Sequence, residues 1–149
     1  MTGTAMWRQF CRQQQLAEDT PHDQWKFCGG GPCADALAQL VLQGIKTATA
    51  SARIAYEHEH VPIPQEGCYS VILFDSDEAA CVIRTDRVSV VPFDQVSAEH
   101  AYKEGEGDRS LETWREIHRQ VFAPDYLAAG LPFDEQGDCV LEEFTVVFR

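Results

Sequence analysis

The sequence predicts an α+β fold with a mainly antiparallel, partly closed sheet and flanking helices. Three observations carry that expectation. Apolar residues recur at helical spacing in the first third of the chain, the pattern turns β-branched and aromatic from Cys68 onward, and a further run of this kind, residues 139–148, closes the chain. At 149 residues the chain has the usual size of one domain with one sizeable core. It shows no internal repeat, low-complexity tract or long linker.

Taken in order, residues 4–16 form a helix with Trp7, Phe10 and Cys11 on one side. Residues 18–23 are polar, contain Pro21 and are expected as a connection. Trp25-Lys26-Phe27 alternates before a break at Gly29-Gly30-Gly31-Pro32. Residues 34–43 carry Leu37, Leu40 and Val41 at helical spacing, with Gly44 at the capping position. A small, hydroxyl-rich segment, 45–51, leads into a short helix over 51–58, stopped by Val61-Pro62-Ile63-Pro64. Strands are expected over 69–74, 80–84 and 87–91, with a turn at Asp75-Ser76-Asp77. A helix near 98–103 precedes Glu104-Gly105-Glu106-Gly107-Asp108. Leu111, Trp114, His118 and Val121 then mark one face of a longer helix, capped by Asp108 or Ser110.

Composition narrows the function classes. The formal net charge is −12, and apolar residues make up 44%. An acidic chain repels polyanions at long range, so a general binder of long nucleic acid is disfavoured and a neutral or weakly charged small ligand is favoured. No apolar run reaches membrane-spanning length, and residues 1–15 lack the pattern of a signal peptide, so the expected location is the cytoplasm. The six cysteines contain no Cys-x-x-Cys pair and are expected as reduced, mostly buried thiols.

Lys46, at the mouth of a helix and followed by Thr47, Thr49 and Ser51, can activate a nucleophile or contact phosphate; its plain alternative is an exposed lysine. Thr49 and Ser51 act as nucleophiles only beside a base. On a flat strand, residues 46 and 49 point to opposite faces. Glu104, Glu106 and Asp108 have three open uses: acid–base chemistry, oxygen ligation of a hard cation without the calcium-loop pattern, or capping of the next helix. Capping leads for Asp108. His118 is expected as a satisfied core histidine, Arg115 as a partner of the upstream acids or of a substrate, and His58-Glu59-His60 as surface.

Several motifs together resemble one family. Ala34-Asp35-x-Leu37-x-x-Leu40-Val41-x-x-Gly44-x-Lys46-Thr47-Ala48-Thr49-x-Ser51, Val91-Pro92-Phe93-Asp94-x-Val96, the run from Ala101 through Glu104-Gly105-Glu106-Gly107-Asp108 to Trp114-Arg115 and His118, and Glu143-Phe144-x-Val146-Val147 are similar to the longer branch of the ASCH (activating signal cointegrator homology) domains. The resemblance covers about residues 25–149. It implies one PUA-like domain over 1–149, a small mixed or antiparallel β-barrel flanked by helices, with 1–24 as an N-terminal helical extension. It also implies a cleft for RNA or a nucleoside-like ligand. Some members resemble amidohydrolases acting on N4-acetylcytidine, and in that branch the catalytic residues fall here on Lys46, Thr49 and Glu104. Ser51, Arg53, Glu106 and Arg115 are then candidate substrate contacts. No metal or other cofactor is implied, and the expected partner is a small nucleoside or RNA-derived ligand, RNA itself being possible. RNA binding or cleavage and non-catalytic nucleoside binding are the alternative functions. The chain departs from the shorter hydrolases at Ser51, where they carry arginine, and Cys28 interrupts the family's Phe-Gly step.

Overall fold

The computed structural model describes residues 1–149. In chain order the elements are α1 (Gly3–Gln14), β1 (His22–Trp25), α2 (Gly31–Leu42), β2 (Ala48–Ala52), α3 (Arg53–Glu59), β3 (Tyr69–Leu73), β4 (Ala79–Pro92), α4 (Ala98–Glu104), α5 (Leu111–Ala128) and β5 (Asp138–Phe148). The strands hydrogen-bond in the order β1-β3-β4-β5-β2. The pair β1–β3 is parallel, whereas β3–β4 and β2–β5 are antiparallel. This is the expected α+β class with helices flanking a mixed sheet. The sheet stays open, with β1 and β2 as its end strands.

Two compact units divide the chain. The first comprises Met1–Ile45, Glu66–Asp86 and Phe144–Arg149. In it, strand alternation sends side chains to two cores. Val71 and its partner Val82 meet Met6, Trp7 and Phe10 of α1, while Ile72, Cys81 and Ile83 meet Phe27 and, from α2, Ala38 and Val41. Burial of both strand faces explains why these strands read as continuous apolar runs. Thr2 caps α1, its Oγ1 accepting from the Ala5 amide at 3.2 Å.

Several sequence expectations change here. Residues 22–25 are a strand rather than the end of a connection, and His22 stacks on Trp7 with ring centres 3.9 Å apart. So short an end strand has no period to read. Helix α2 begins at Gly31, three residues early, because Pro32 fits a first helical turn and Asp75 Oδ1 accepts from the Gly31 amide at 2.7 Å. Cys28 and Cys33 are joined by a disulfide, which corrects the expectation of six thiols. The left-handed Gly29 and Gly31 and the Gly30 φ of 121° curl the loop, leaving the two Cα atoms 6.0 Å apart. The other four cysteines are free. Strand β4 runs unbroken where two strands were expected. Buried Thr85 continues the pairing, its amide donating to Cys68 O at 2.9 Å and its carbonyl accepting from Gly67 at 2.7 Å.

The second unit comprises Lys46–Gln65 and Arg87–Glu143. Its core joins Phe93, Val96 and Ala101 to Trp114, Phe122 and Tyr126 of α5, and to Ala52, Cys139 and Leu141 of β2 and β5. Ser110, rather than Asp108, caps α5: its Oγ accepts from the Thr113 amide, while Asp108 Oδ1 accepts from the Ser110 amide. The buried row of α5 is Trp114, His118, Phe122 and Tyr126, spaced by four. Val121, expected on that face, is 52% exposed, whereas Phe122 is 2% exposed. No helix is long and apolar enough to cross a membrane.

Urea denaturation should show Phe122→Ala losing about 3–5 kcal/mol and Val121→Ala staying within about 0.5 kcal/mol of the parent. Alkylating the unfolded but unreduced protein with iodoacetamide should add four labels by mass, the number of free cysteines.

Candidate functional site

In the second unit, β2 pairs with β5 from Ala48 opposite Glu143 to Ala52 opposite Cys139. Ala48 and Ala52 are buried, so the even positions face the core, and Thr49 and Ser51 take the other face. The Thr47 amide donates to Lys103 O at 2.8 Å, tying the entry of β2 to the end of α4. Lys46 shares the inward parity of Ala48 and is only 1% exposed.

The chain leaves α4 through the glycine alternation. Gly105 and Gly107 have φ of 75° and 59°, left-handed values that place the intervening acid back toward the helix end. Lys46 Nζ donates to Glu104 Oε1 at 3.4 Å, to the Glu104 carbonyl at 3.4 Å and to Glu106 Oε2 at 3.1 Å. Glu104 is 1% exposed and collects three further donors. His100 Nε2 lies 2.7 Å from Oε2, Trp114 Nε1 donates to the same oxygen, and His118 Nε2 lies 3.5 Å from Oε1. His118 Nδ1 is 2.7 Å from the Trp114 carbonyl, which can only accept, so that nitrogen carries a hydrogen, and Nε2 donates to Glu104 when the ring holds its second proton.

Burial alone would push the Glu104 carboxyl up. Hydrogen bonds from His100 and His118 and the charge of Lys46 outweigh it and hold the group well below its ordinary value. Glu104 is therefore an ionised, fully engaged carboxylate. Glu104, Glu106 and His118 offer ligand atoms within 4.8 Å of one another. The Lys46 ammonium already lies against both carboxylates and supplies the positive charge a metal would bring, so the cluster fits an ion-pair network better than a metal site.

Beside this network is a cavity of about 240 Å³. Alternate residues of β4 (Arg87, Ser89, Val91) and of β5 (Leu141, Glu143) form one wall, while Gln95, Ser97 and, from α4, Glu99, His100 and Lys103 complete it. Val91 and Leu141 offer apolar contact for a flat ring, and the other groups offer donors and acceptors. Lys103 pairs with Glu99 and Glu143, and Arg87 with Glu143.

The sequence-predicted residues separate accordingly. Lys46, Glu104 and Glu106 come together. Thr49, opposite Glu142 on β5, lies on the other face of β2 from Ala48 and lines neither this cavity nor a second, open one of about 340 Å³. Ser51 borders that second cavity and accepts from the Tyr56 hydroxyl at 3.0 Å. Arg53 pairs with Glu57 and Asp138. Arg115 Nη2 donates to the Asp94 carbonyl at 2.9 Å, and its buried Nε has no partner. Sequence reasoning did not single out His100. The signal for it was the four-residue spacing to Glu104 on the short helix.

A model of the ASCH domain matches residues 23–148. The chain belongs to the ASCH domain family. Among solved structures, an ASCH domain from Lactobacillus crispatus JV V101 is 30% identical with a TM-score of 0.90, over 99% of this chain and 94% of that one. A protein from Enterococcus faecalis V583 is 32% identical with a TM-score of 0.88, over 97% and 86%. A third, at 13% identity and a TM-score of 0.57, shares the fold. A search of curated proteins finds no match.

Removing one partner of the buried network exposes the other's full desolvation cost, so Glu104→Gln should destabilise this ASCH domain by about 3–5 kcal/mol near neutrality. A depressed carboxyl stabilises the fold above its unfolded value and loses that contribution as pH falls toward its folded one. The gap between parent and variant in urea unfolding should therefore be widest near pH 7 and narrow below 4.5, the ordinary value of the group.

Proposed function

We propose that this ASCH domain hydrolyses an acyl amide on a cytidine-type nucleoside, N4-acetylcytidine being the first substrate to test, with Lys46, Thr49 and Glu104 as the motif residues on which the reaction depends. The observation behind the proposal is the buried Lys46–Glu104 ion pair, set in the same unit as a polar cavity that shares His100 with it. An acidic protein suits a neutral nucleoside better than a polyphosphate chain. Val91 and Leu141 suit the faces of a base, and Ser89, Gln95 and Ser97 suit its polar edge. None of the four proposed substrate contacts lines the cavity; Glu106, the more exposed end of the ion-pair cluster, is linked to it only through Lys46 and Glu104. Thr49 belongs to the proposal through the family motif.

A second function, nucleoside binding without turnover, is favoured by the burial of Lys46 and Glu104, each 1% exposed and so out of reach of a ligand in this conformation. RNA association is general among ASCH domains. In this chain it would start from Arg87 and Lys103 at the cavity, because Arg53 and Arg115 lie elsewhere and are held by local acceptors.

Incubation of purified protein with N4-acetylcytidine should release cytidine, and Lys46→Ala and Thr49→Ala should each lower kcat by about 100-fold or more. No release above the Lys46→Ala control would sink the hydrolase proposal. Saturable cytidine binding without turnover would establish the second function, and salt-sensitive retention of RNA would point to the third.

A further inference from the structure

We infer that His100 Nδ1 is the proton acceptor that meets the ligand, and that Glu104 acts only through it; this rests on the cavity being the nucleoside site proposed above. The two ring nitrogens of His100 have different surroundings. Glu104 is an ionised carboxylate and can only accept, so the hydrogen between it and His100, 2.7 Å away, sits on His100 Nε2. In the neutral ring Nδ1 then keeps its lone pair, and it makes no hydrogen bond within the protein. Arg115 Nε is the one buried side-chain polar atom without a partner, so the unpaired Nδ1 of His100 retains access to open space. His100 lines the cavity and is only 8% exposed, so the cavity is the open space beside it.

The backbone fixes this orientation. His100 is the third residue of α4, where its amide donates to the capping Ser97 Oγ at 3.0 Å. Glu104 lies one helical turn further on, itself held by Trp114, Lys46 and His118. A buried carboxylate thus sets the tautomer and direction of a histidine whose other nitrogen faces the ligand space, the arrangement that makes imidazole an effective general base. Glu104 is too buried and too fully bonded to serve directly. Of the groups that touch Glu104, only His100 also lines the cavity.

For an N-acyl amide, the oxygen of a water bonds to the acyl carbon while one of its protons passes to His100 Nδ1. The carbon–nitrogen bond then breaks with its electron pair leaving on the exocyclic nitrogen, which takes that proton back. The products are the free amine and the carboxylic acid, and His100 returns to its neutral form.

His100→Gln separates the roles, because its side-chain amide can still donate to Glu104 but holds no basic nitrogen. Its kcat for N4-acetylcytidine should fall by about 100-fold or more while KM stays within about threefold. His100→Gly should regain activity when imidazole is added, which a structural defect would not. A glutamine variant close to the parental kcat would overturn the role of His100 and leave the hydrolase proposal standing. If the parent itself releases no cytidine, that proposal fails, and His100 is judged by nitrogen NMR of histidine-labelled protein. A signal absent from His100→Gln, with Nε2 protonated and an Nδ1 resonance that shifts on adding cytidine, upholds the ligand-facing acceptor. An Nδ1 that is protonated or unmoved by cytidine overturns it.

Discussion

Around the Glu104 carboxylate the second unit is organised. An uncompensated carboxylate at 1% exposure would be too costly to ionise, so its retention demands donors from several directions at once. They arrive from the entry to β2 (Lys46), from its own helix (His100) and from α5 (Trp114 and His118). A single group thereby fixes the relative placement of three elements within the unit. Because these hydrogen bonds are charge-assisted, they are also stronger and more directional than the apolar contacts around them.

The surrounding packing turns that charge network into a shaped site. Trp114 and His118 stack with ring centres 4.1 Å apart, and Phe93 and Phe122 close the apolar side of the same group. The Gly105–Gly107 turn bends the chain so that Glu106 shares Lys46 with Glu104, and Arg109 then covers Tyr102 at 3.6 Å. Charge at the centre and aromatic rings around it leave the adjoining cavity with one wall able to exchange a proton and another suited to a flat ring.

The fold was legible where periodicity was long. Helix α1, helix α5 and strands β3 and β5 follow from apolar spacing, and the family motif identified the ASCH domain. Legibility failed where a distant partner decided the outcome. Strand β1 exists through its pairing with β3, β4 stays whole because Thr85 bonds to the Gly67–Cys68 backbone, and α2 starts early because Asp75 receives the Gly31 amide. The same holds for the site. The family motif and charge pattern brought Lys46 and Glu104 forward, and strand parity warned that Thr49 would point elsewhere. His100 stayed hidden because its significance lies in which nitrogen is engaged, a fact of three-dimensional geometry. Val121 and Phe122 are neighbours on α5, and only the exact pitch of the helix decides which one enters the core.

Strand β2 separates two kinds of freedom. Ala48 and Ala52, at 0% and 1% exposure, sit where a larger side chain would collide with packed neighbours, whereas Thr49 and Ser51 alternate to a partly open face. Changes of chemistry on that second face leave the core untouched. A strand built this way lets a lineage exchange the outward groups of Thr49 and Ser51 one at a time while the inward alanines hold the architecture constant. Substitution on that outward face then needs no renegotiation of the fold.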